Sequence, residues 1–143
     1  MIKSAILHPH LLSALAKCGH KTQILIADSN YSFVTNSSPG AIIVYLNFAP
    51  GMIESTFILE KLLSYINVEE AVLMSSPDDF NNTIEQEYQN ILPPGTVFSW
   101  SEREDFYAQA KSSDTLLVIA TGETRRYANI LLTVGVVRAG SGL

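Results

Sequence analysis

The chain has 143 residues, of which 47% are hydrophobic and 16% charged, and a formal net charge of −5. This length suits one domain (1–143) with a core of its own, and so apolar a composition excludes a disordered acidic chain. Nine basic residues against fourteen acidic ones, with no cluster beyond Arg125-Arg126, argue against a nucleic-acid partner, and the single Cys18 excludes a disulfide framework or a cysteine-rich zinc site.

The first periodic stretch runs from His8 to Lys17, where Leu11, Leu12, Leu15 and Ala16 recur at helical spacing. Pro9 suits the first turn, and Gly19 is placed to stop the helix in left-handed geometry. Gln23 to Ala27 is apolar nearly throughout and reads as a strand buried on both faces, ending at Asp28. Ser29 to Gly40 is rich in Ser, Asn, Pro and Gly and reads as loop. A second strand is expected at Ala41 to Leu46, then a helix from Met52 to Tyr65 with Ile53, Phe57, Leu59, Leu62 and Leu63 on its apolar side.

Ala71 to Met74 reads as a third strand, Phe80 to Ile91 as a more polar helix ended by Pro93-Pro94-Gly95, and Thr96 to Trp100 as a short strand. Ser101 is placed to cap the helix that follows to Lys111, with Glu104 as its capping-box partner. Thr115 to Ala120 carries the strongest strand pattern, Thr121-Gly122-Glu123 turns the chain, and Asn129 to Val137 returns as a last strand. The small residues at 139–143 read as a flexible tail. Buried strands alternating with amphipathic helices predict an α/β fold with a mainly parallel sheet flanked by helices.

No apolar run has the length of a signal-peptide core or a bilayer span, so the expectation is a soluble cytoplasmic protein with no membrane partner. Ligands of such sheets bind beyond the carboxyl ends of the strands. That rule selects Asp28 and the segment Thr121 to Asn129. His20 precedes the first strand and lies at the opposite end of a parallel sheet, so a site using His20 and Asp28 together needs a second subunit or an unusual chain path.

Imidazole titrates near neutrality, which makes His20 an acid/base candidate, although a histidine at a helix end serves equally well to hydrogen-bond the last carbonyls. Asp28 suits a sugar hydroxyl, the orienting of an imidazole, or a simple turn at a strand end; Arg103 suits a ligand or a solvated helix start; Tyr127 and Asn129 offer hydrogen bonds from one loop. His8 and His10, two apart, do not have the spacing of a helical metal pair, and no glycine-rich phosphate loop occurs. Cys18 reads as a packing residue of the first helix.

The segment Leu15-Ala16-Lys17-Cys18-Gly19-His20 followed by Ile24-Leu25-Ile26-Ala27-Asp28 resembles the opening motif of the ribose pyranase and fucose mutarotase family. The closing motif is similar too: Thr121-Gly122-Glu123, then Tyr127-Ala128-Asn129-Ile130-Leu131-Leu132, ending in Gly135-Val136. The resemblance spans nearly the whole chain. It implies an isomerase acting on free monosaccharides without metal or cofactor, assembled as a ring, typically a homodecamer of two stacked pentamers with sites between subunits.

By the same resemblance His20 matches a catalytic proton donor, and Asp28, Tyr127, Ala128 and Asn129 match sugar-binding positions. Arg103, followed by Phe106-Tyr107, resembles the fucose branch, which exchanges α and β anomers. The ribose branch, which exchanges pyranose and furanose rings, tends to carry His at that position. Asp28-Ser29-Asn30-Tyr31-Ser32 departs from the family by lacking a proline. Ring opening needs a proton removed from the anomeric hydroxyl and one delivered to the ring oxygen, with His20 expected as one group and Tyr127, through water, as the second. A D-ribose pyranase and a non-catalytic ring protein that binds a monosaccharide are the alternatives.

Overall fold

The structure, a computed structural model, describes residues 1–138. The tail expected at 139–143 lies outside the described residues. Six strands form one sheet in the order β2-β5-β1-β6-β3-β4. They are β1 (Gln23–Ala27), β2 (Ile42–Tyr45), β3 (Val68–Met74), β4 (Val97–Ser101), β5 (Thr115–Ala120) and β6 (Ile130–Val134). Four helices, α1 (Pro9–Lys17), α2 (Ser55–Leu62), α3 (Thr83–Ile91) and α4 (Arg103–Ala110), complete the fold.

The sheet is mixed. β5 pairs in parallel with β1 and β2, and β3 with β4, but β6 runs antiparallel between β1 and β3. The expected α/β fold is present, but the sheet expected to be mainly parallel is mixed: three of its five strand pairings are parallel, and the two antiparallel ones are those of β6. Its insertion sets Ile130 beside Ile26 of β1 and Leu73 of β3, so that the residues just before β6 lie where β1 and β3 end.

Both faces of the sheet are covered, which is why the inner strands β1, β5 and β6 are apolar over most of their length. Alternation along β1 sends Ile24 and Ile26 into one core with Leu11, Leu15, Leu59, Leu62, Ile84 and Tyr88 of α1, α2 and α3. Leu25 and Ala27 face the other way, into a core with Val118, Leu131 and Phe106 and Ala110 of α4. The outer strand β4 is much more open, with Val97 60% and Trp100 47% exposed.

Several element ends differ from the sequence expectations. α1 is capped by His8 itself, whose Nδ1 accepts from the Leu11 N–H at 3.2 Å, so His8 stands outside the helix and its ring lies 5.9 Å from that of His10. Gly19 does not take the left-handed conformation; Lys21 does, at φ 73°. α2 begins only at Ser55, after the loop through Gly51 and Ile53, and α3 at Thr83, where Asn82 caps by accepting from the Glu85 N–H. Ser101 is the last residue of β4 rather than a cap. Its Oγ accepts from Gln109 Nε2 at 2.8 Å, and Glu102 occupies the cap position without a side-chain bond.

Candidate functional site

At the carboxyl ends of β1 and β3 lies a cleft of about 200 Å³, lined by Asp28, Asn30, Tyr31, Met74, Arg103, Tyr107, Arg126, Tyr127 and Asn129. This lies below the roughly 300–1,000 Å³ of drug-sized sites and suits a small ligand. A second hollow, formed by Ser75, Ser76, Pro77 and Glu102, shares Met74, Arg103 and Tyr127 with it.

Asp28 is the first residue after β1 and is only 4% exposed. Its backbone N–H donates to Asn129 Oδ1 at 2.7 Å, tying the end of β1 to the start of β6. Its Oδ1 accepts from the Asn30 N–H at 3.0 Å in a local turn. Burial pushes the Asp28 carboxyl up to about 6, and the nearby backbone N–H groups of Asn30, Ala128 and Tyr31 offset part of that rise.

Tyr127 stands in left-handed backbone geometry at φ 58°, a conformation that carries strain for a residue with a bulky side chain. Its ring meets Phe80 edge-on at 4.9 Å, and the Arg126 guanidinium lies over both rings, at 5.3 Å from the centre of Tyr127 and 5.8 Å from that of Phe80. Ala128 is completely buried, with its side chain in the core, and it meets the cleft through its backbone. The turn at Tyr127 leaves the Ala128 N–H facing Asp28 and its carbonyl facing inward, where it accepts from the Tyr88 hydroxyl at 2.5 Å.

That carbonyl rests on a buried polar network. The Tyr88 hydroxyl also lies 2.6 Å from Ser55 Oγ, and Ser55 Oγ donates to Glu123 Oε1 at 3.0 Å. Glu123, 1% exposed, accepts from Arg125 Nε at 3.0 Å, and Arg125 also pairs with Glu87. Burial alone would push the Glu123 carboxyl up, but the Arg125 side chain, the Arg125 N–H and the Ser55 hydroxyl hold it below the usual range. The Glu123 carbonyl also accepts from the Ser29 N–H at 2.8 Å, which anchors the loop after Asp28.

Arg103 opens α4. Phe106 and Ala110, four apart, are its buried face, whereas Arg103 and Tyr107, also four apart, line the cleft. Tyr107 meets Tyr31 edge-on at 5.6 Å, and the Tyr31 hydroxyl donates to the Asn36 carbonyl at 2.6 Å. The structure therefore brings together Asp28, Arg103, Tyr127 and Asn129, with Ala128 behind them. Sequence reasoning did not single out Asn30, Tyr31, Met74, Tyr107 and Arg126 as cleft residues, although Arg126 falls within the selected segment Thr121 to Asn129. The helical spacing from Arg103 to Tyr107 was the signal available for one of them; Met74 had no local signal beyond ending a strand.

His20 is not in this cleft. It lies before β1, at the opposite end of the sheet, with Nε2 3.1 Å from Glu69 Oε2, while Lys21 pairs with the other oxygen of Glu69. The ring does not hydrogen-bond the last carbonyls of α1. The five residues of β1 alone span roughly 16 Å at 3.3 Å per residue. No monosaccharide bridges His20 and Asp28 of one chain. Cys18 stands at the end of α1, half-buried, with Sγ donating to the Ala14 carbonyl at 3.4 Å; burial raises its thiol pKa. Among the described residues, no group of three or more His, Cys, Asp or Glu side chains is placed to hold a metal ion, and no helix is long and apolar enough to cross a membrane.

A family model described as the RbsD / FucU transport protein family matches residues 1–137. The chain belongs to the RbsD/FucU family. Among relatives of this RbsD/FucU member, human fucose mutarotase is 34% identical over 142 residues, covering 93% of this chain and 91% of the relative. D-ribose pyranase 2 of Streptomyces griseus is 31% identical over 142 residues, covering 95% and 98%. The structure of Bacillus subtilis RbsD complexed with D-ribose superposes with a TM-score of 0.83 at 27% identity, over 96% of this chain and 100% of the other. The RbsD/FucU fold thus extends over the β1 and β6 ends that form the cleft.

Proposed function

We propose that the protein is a monosaccharide isomerase, an L-fucose mutarotase that interconverts the α and β anomers of the free sugar by general acid/base ring opening and closure. The observation that carries this reading is the small cleft at the β1 and β3 ends. It joins hydroxyl acceptors and donors (Asp28, Arg103, Tyr127, Asn129) to the less polar wall of Tyr31, Tyr107 and Met74. A sugar presents hydroxyls around its edge and C–H groups on its faces, so it needs both kinds of surface. The 34% identity to a fucose mutarotase and Arg103 in the cleft support fucose as the substrate.

In this reading Asp28, Arg103, Asn129 and the Ala128 backbone hold the sugar while its ring opens, which fixes the reacting atoms. His20 supplies one proton-transfer group from a neighbouring copy of the chain, and the Tyr127 hydroxyl is the second candidate. No cofactor takes part in the proposed reaction. Placement of His20 far from the cleft supports a homo-oligomer with sites between copies, such as a decamer of two stacked pentamers. Exposed Tyr45, Phe48, Met52 and Phe57, together with Val97 and Trp100 on β4, offer apolar surface for such contacts. We place the protein in the cytoplasm, a compartment that suits its single free thiol.

The likeness to RbsD with bound D-ribose favours a second reading, a D-ribose pyranase. Each reaction passes through the open-chain aldehyde of its sugar: anomer exchange closes the same hydroxyl on the other face of the carbonyl, whereas pyranose–furanose exchange closes a different hydroxyl. NMR saturation transfer at equilibrium, with L-fucose and D-ribose in parallel, separates them. Faster anomer exchange of fucose, abolished by His20→Ala without loss of assembly, is the expected result. Acceleration of ribose ring exchange alone establishes the pyranase. No acceleration of either sugar leaves a sugar-binding ring protein.

A further inference from the structure

We infer that the Asp28 carboxylate is the base that takes the anomeric hydroxyl proton, so that Asp28 is a catalytic residue as well as a holder of sugar hydroxyls. The inference rests on the ring-opening reading above and moves the base of that reaction from Tyr127 to Asp28. A neutral phenol is a poor base, and the Tyr127 hydroxyl already lies 3.4 Å from Arg126 Nη2.

The geometry of Asp28 is unusual for a residue that only binds. Its side chain lines the cleft while the residue is 4% exposed, so a ligand there meets a carboxyl group shielded from bulk water. Backbone N–H groups of Asn30, Tyr31 and Ala128 hold it in place. Arg103 and Arg126 line the same cleft, yet among the described residues neither is ion-paired with it. The carboxyl group is fixed in position without being locked in its ionised form.

The charged and titratable groups around it come from three other elements. α4 presents Arg103 and Tyr107, the segment before β6 presents Glu123, Arg126 and Tyr127, and α3 presents Tyr88; Tyr31 stands on its own loop. Burial is the largest influence on Asp28 and the Glu123 charge adds to it, giving a carboxyl that titrates at about 6. An acid/base group acts most effectively when it titrates near the working pH. At neutral pH Asp28 is mostly ionised and ready to accept a proton.

In the forward step the carboxylate takes the proton from the anomeric O1. The O1–H electron pair becomes the second bond of the C1=O1 carbonyl, the C1–O5 bond breaks, and its electron pair stays on O5. O5 receives a proton from the imidazolium of His20 of a neighbouring copy. Rotation about C1–C2 presents the other face of the aldehyde. Closure returns one proton to O1 from Asp28 and one to His20 from O5, so both groups end as they began.

The test is anomer exchange of L-fucose by saturation transfer, at saturating and subsaturating sugar between pH 5 and 8, for the wild-type protein and Asp28→Asn. Asn keeps the size and an acceptor oxygen but not the base. The expected result is a maximal exchange rate lowered by about 10²-fold or more, with the half-saturating sugar concentration within about threefold of wild type. The wild-type rate should rise with pH through about 6, and the variant should lack that limb. Unchanged maximal exchange with a large loss of affinity overturns the inference and leaves Asp28 a binding residue. If Asp28→Asn does not fold, the wild-type ¹³C carboxyl signal of Asp28 decides: a midpoint that coincides with the acid limb of the rate profile supports the inference, and a midpoint displaced from that limb overturns it. A wild-type protein that accelerates no sugar overturns the ring-opening reading itself, a result distinct from an active wild type with an equally active Asp28→Asn.

Discussion

The two ends of the sheet are built on opposite principles. At the Asp28 end, polar groups are buried and bound to one another: Asp28 to Asn129, Thr121 to the Ala27 carbonyl at 2.7 Å, Glu123 to Arg125 and Ser55. At the His20 end, His20, Lys21 and Glu69 form an ion-pair group whose side chains are 30–64% exposed. A buried polar network holds one geometry because an unsatisfied member is costly, whereas an exposed ion pair adds little. One end is therefore a finished surface that positions groups for a ligand. The other presents an exposed ring, which under the proposed function is available to a neighbouring copy.

This contrast is broken or sharpened first at the glycines. A Cβ on Gly122, at the Asp28 end, would lie 1.9 Å from the Met52 carbonyl oxygen, whereas a Cβ on Gly19 meets nothing within 4 Å. Gly122→Ala should lose about 4 kcal/mol or more, seen as a collapse of the urea midpoint, and Gly19→Ala should leave that midpoint nearly unchanged. Equal tolerance at both positions would remove the contrast.

Arg125→Ala comes next. It strands the buried Glu123 carboxylate, and a loss of about 3–5 kcal/mol in urea unfolding is expected at pH 7. Because Glu123 is more acidic folded than unfolded, its stabilising contribution is present above the ordinary carboxylate range and is lost as the pH falls through its lowered pKa. The destabilisation by Arg125→Ala should therefore shrink in acid.

Asp28 has the reverse sign. The folded protein favours its protonated form, so its contribution is complete below about pH 4 and is lost as the pH rises through about 6. Asp28→Asn should therefore stabilise the protein at pH 7, by about 2–3 kcal/mol, and make little difference near pH 4, measured as unfolding midpoints at the two pH values. Stability gained with exchange lost would mark Asp28 as held in place for function.

The smallest change in stability is expected at the other end. Glu69→Ala removes the partner of His20 and Lys21 but should leave the melting temperature almost unmoved. Under the proposed function it should slow sugar exchange several-fold, because the His20 ring loses the carboxylate that orients it. Unaltered exchange would show that contacts in the assembly alone orient the ring.

Much of this followed from local pattern. Apolar runs at Gln23 to Ala27 and Thr115 to Ala120 marked strands buried on both faces, and the ends of those strands pointed to Asp28 and the Thr121 to Asn129 segment. The separation of His20 from Asp28 was also visible, because residues on the two sides of a strand stand at opposite ends of a sheet. The expected cap at Ser101 was not realised, because pairing with Met74 of β3 draws Ser101 into β4. Tertiary structure alone decided that β6 enters antiparallel between β1 and β3, which sets Asn129 against Asp28 and turns the Ala128 N–H toward it. It also placed Tyr88, Ser55 and Glu123 together beneath the cleft. Hydrophobic period records which side of an element is buried, but the order of strands and the partners of a buried polar group depend on residues far apart in the chain, and no local pattern carries that information.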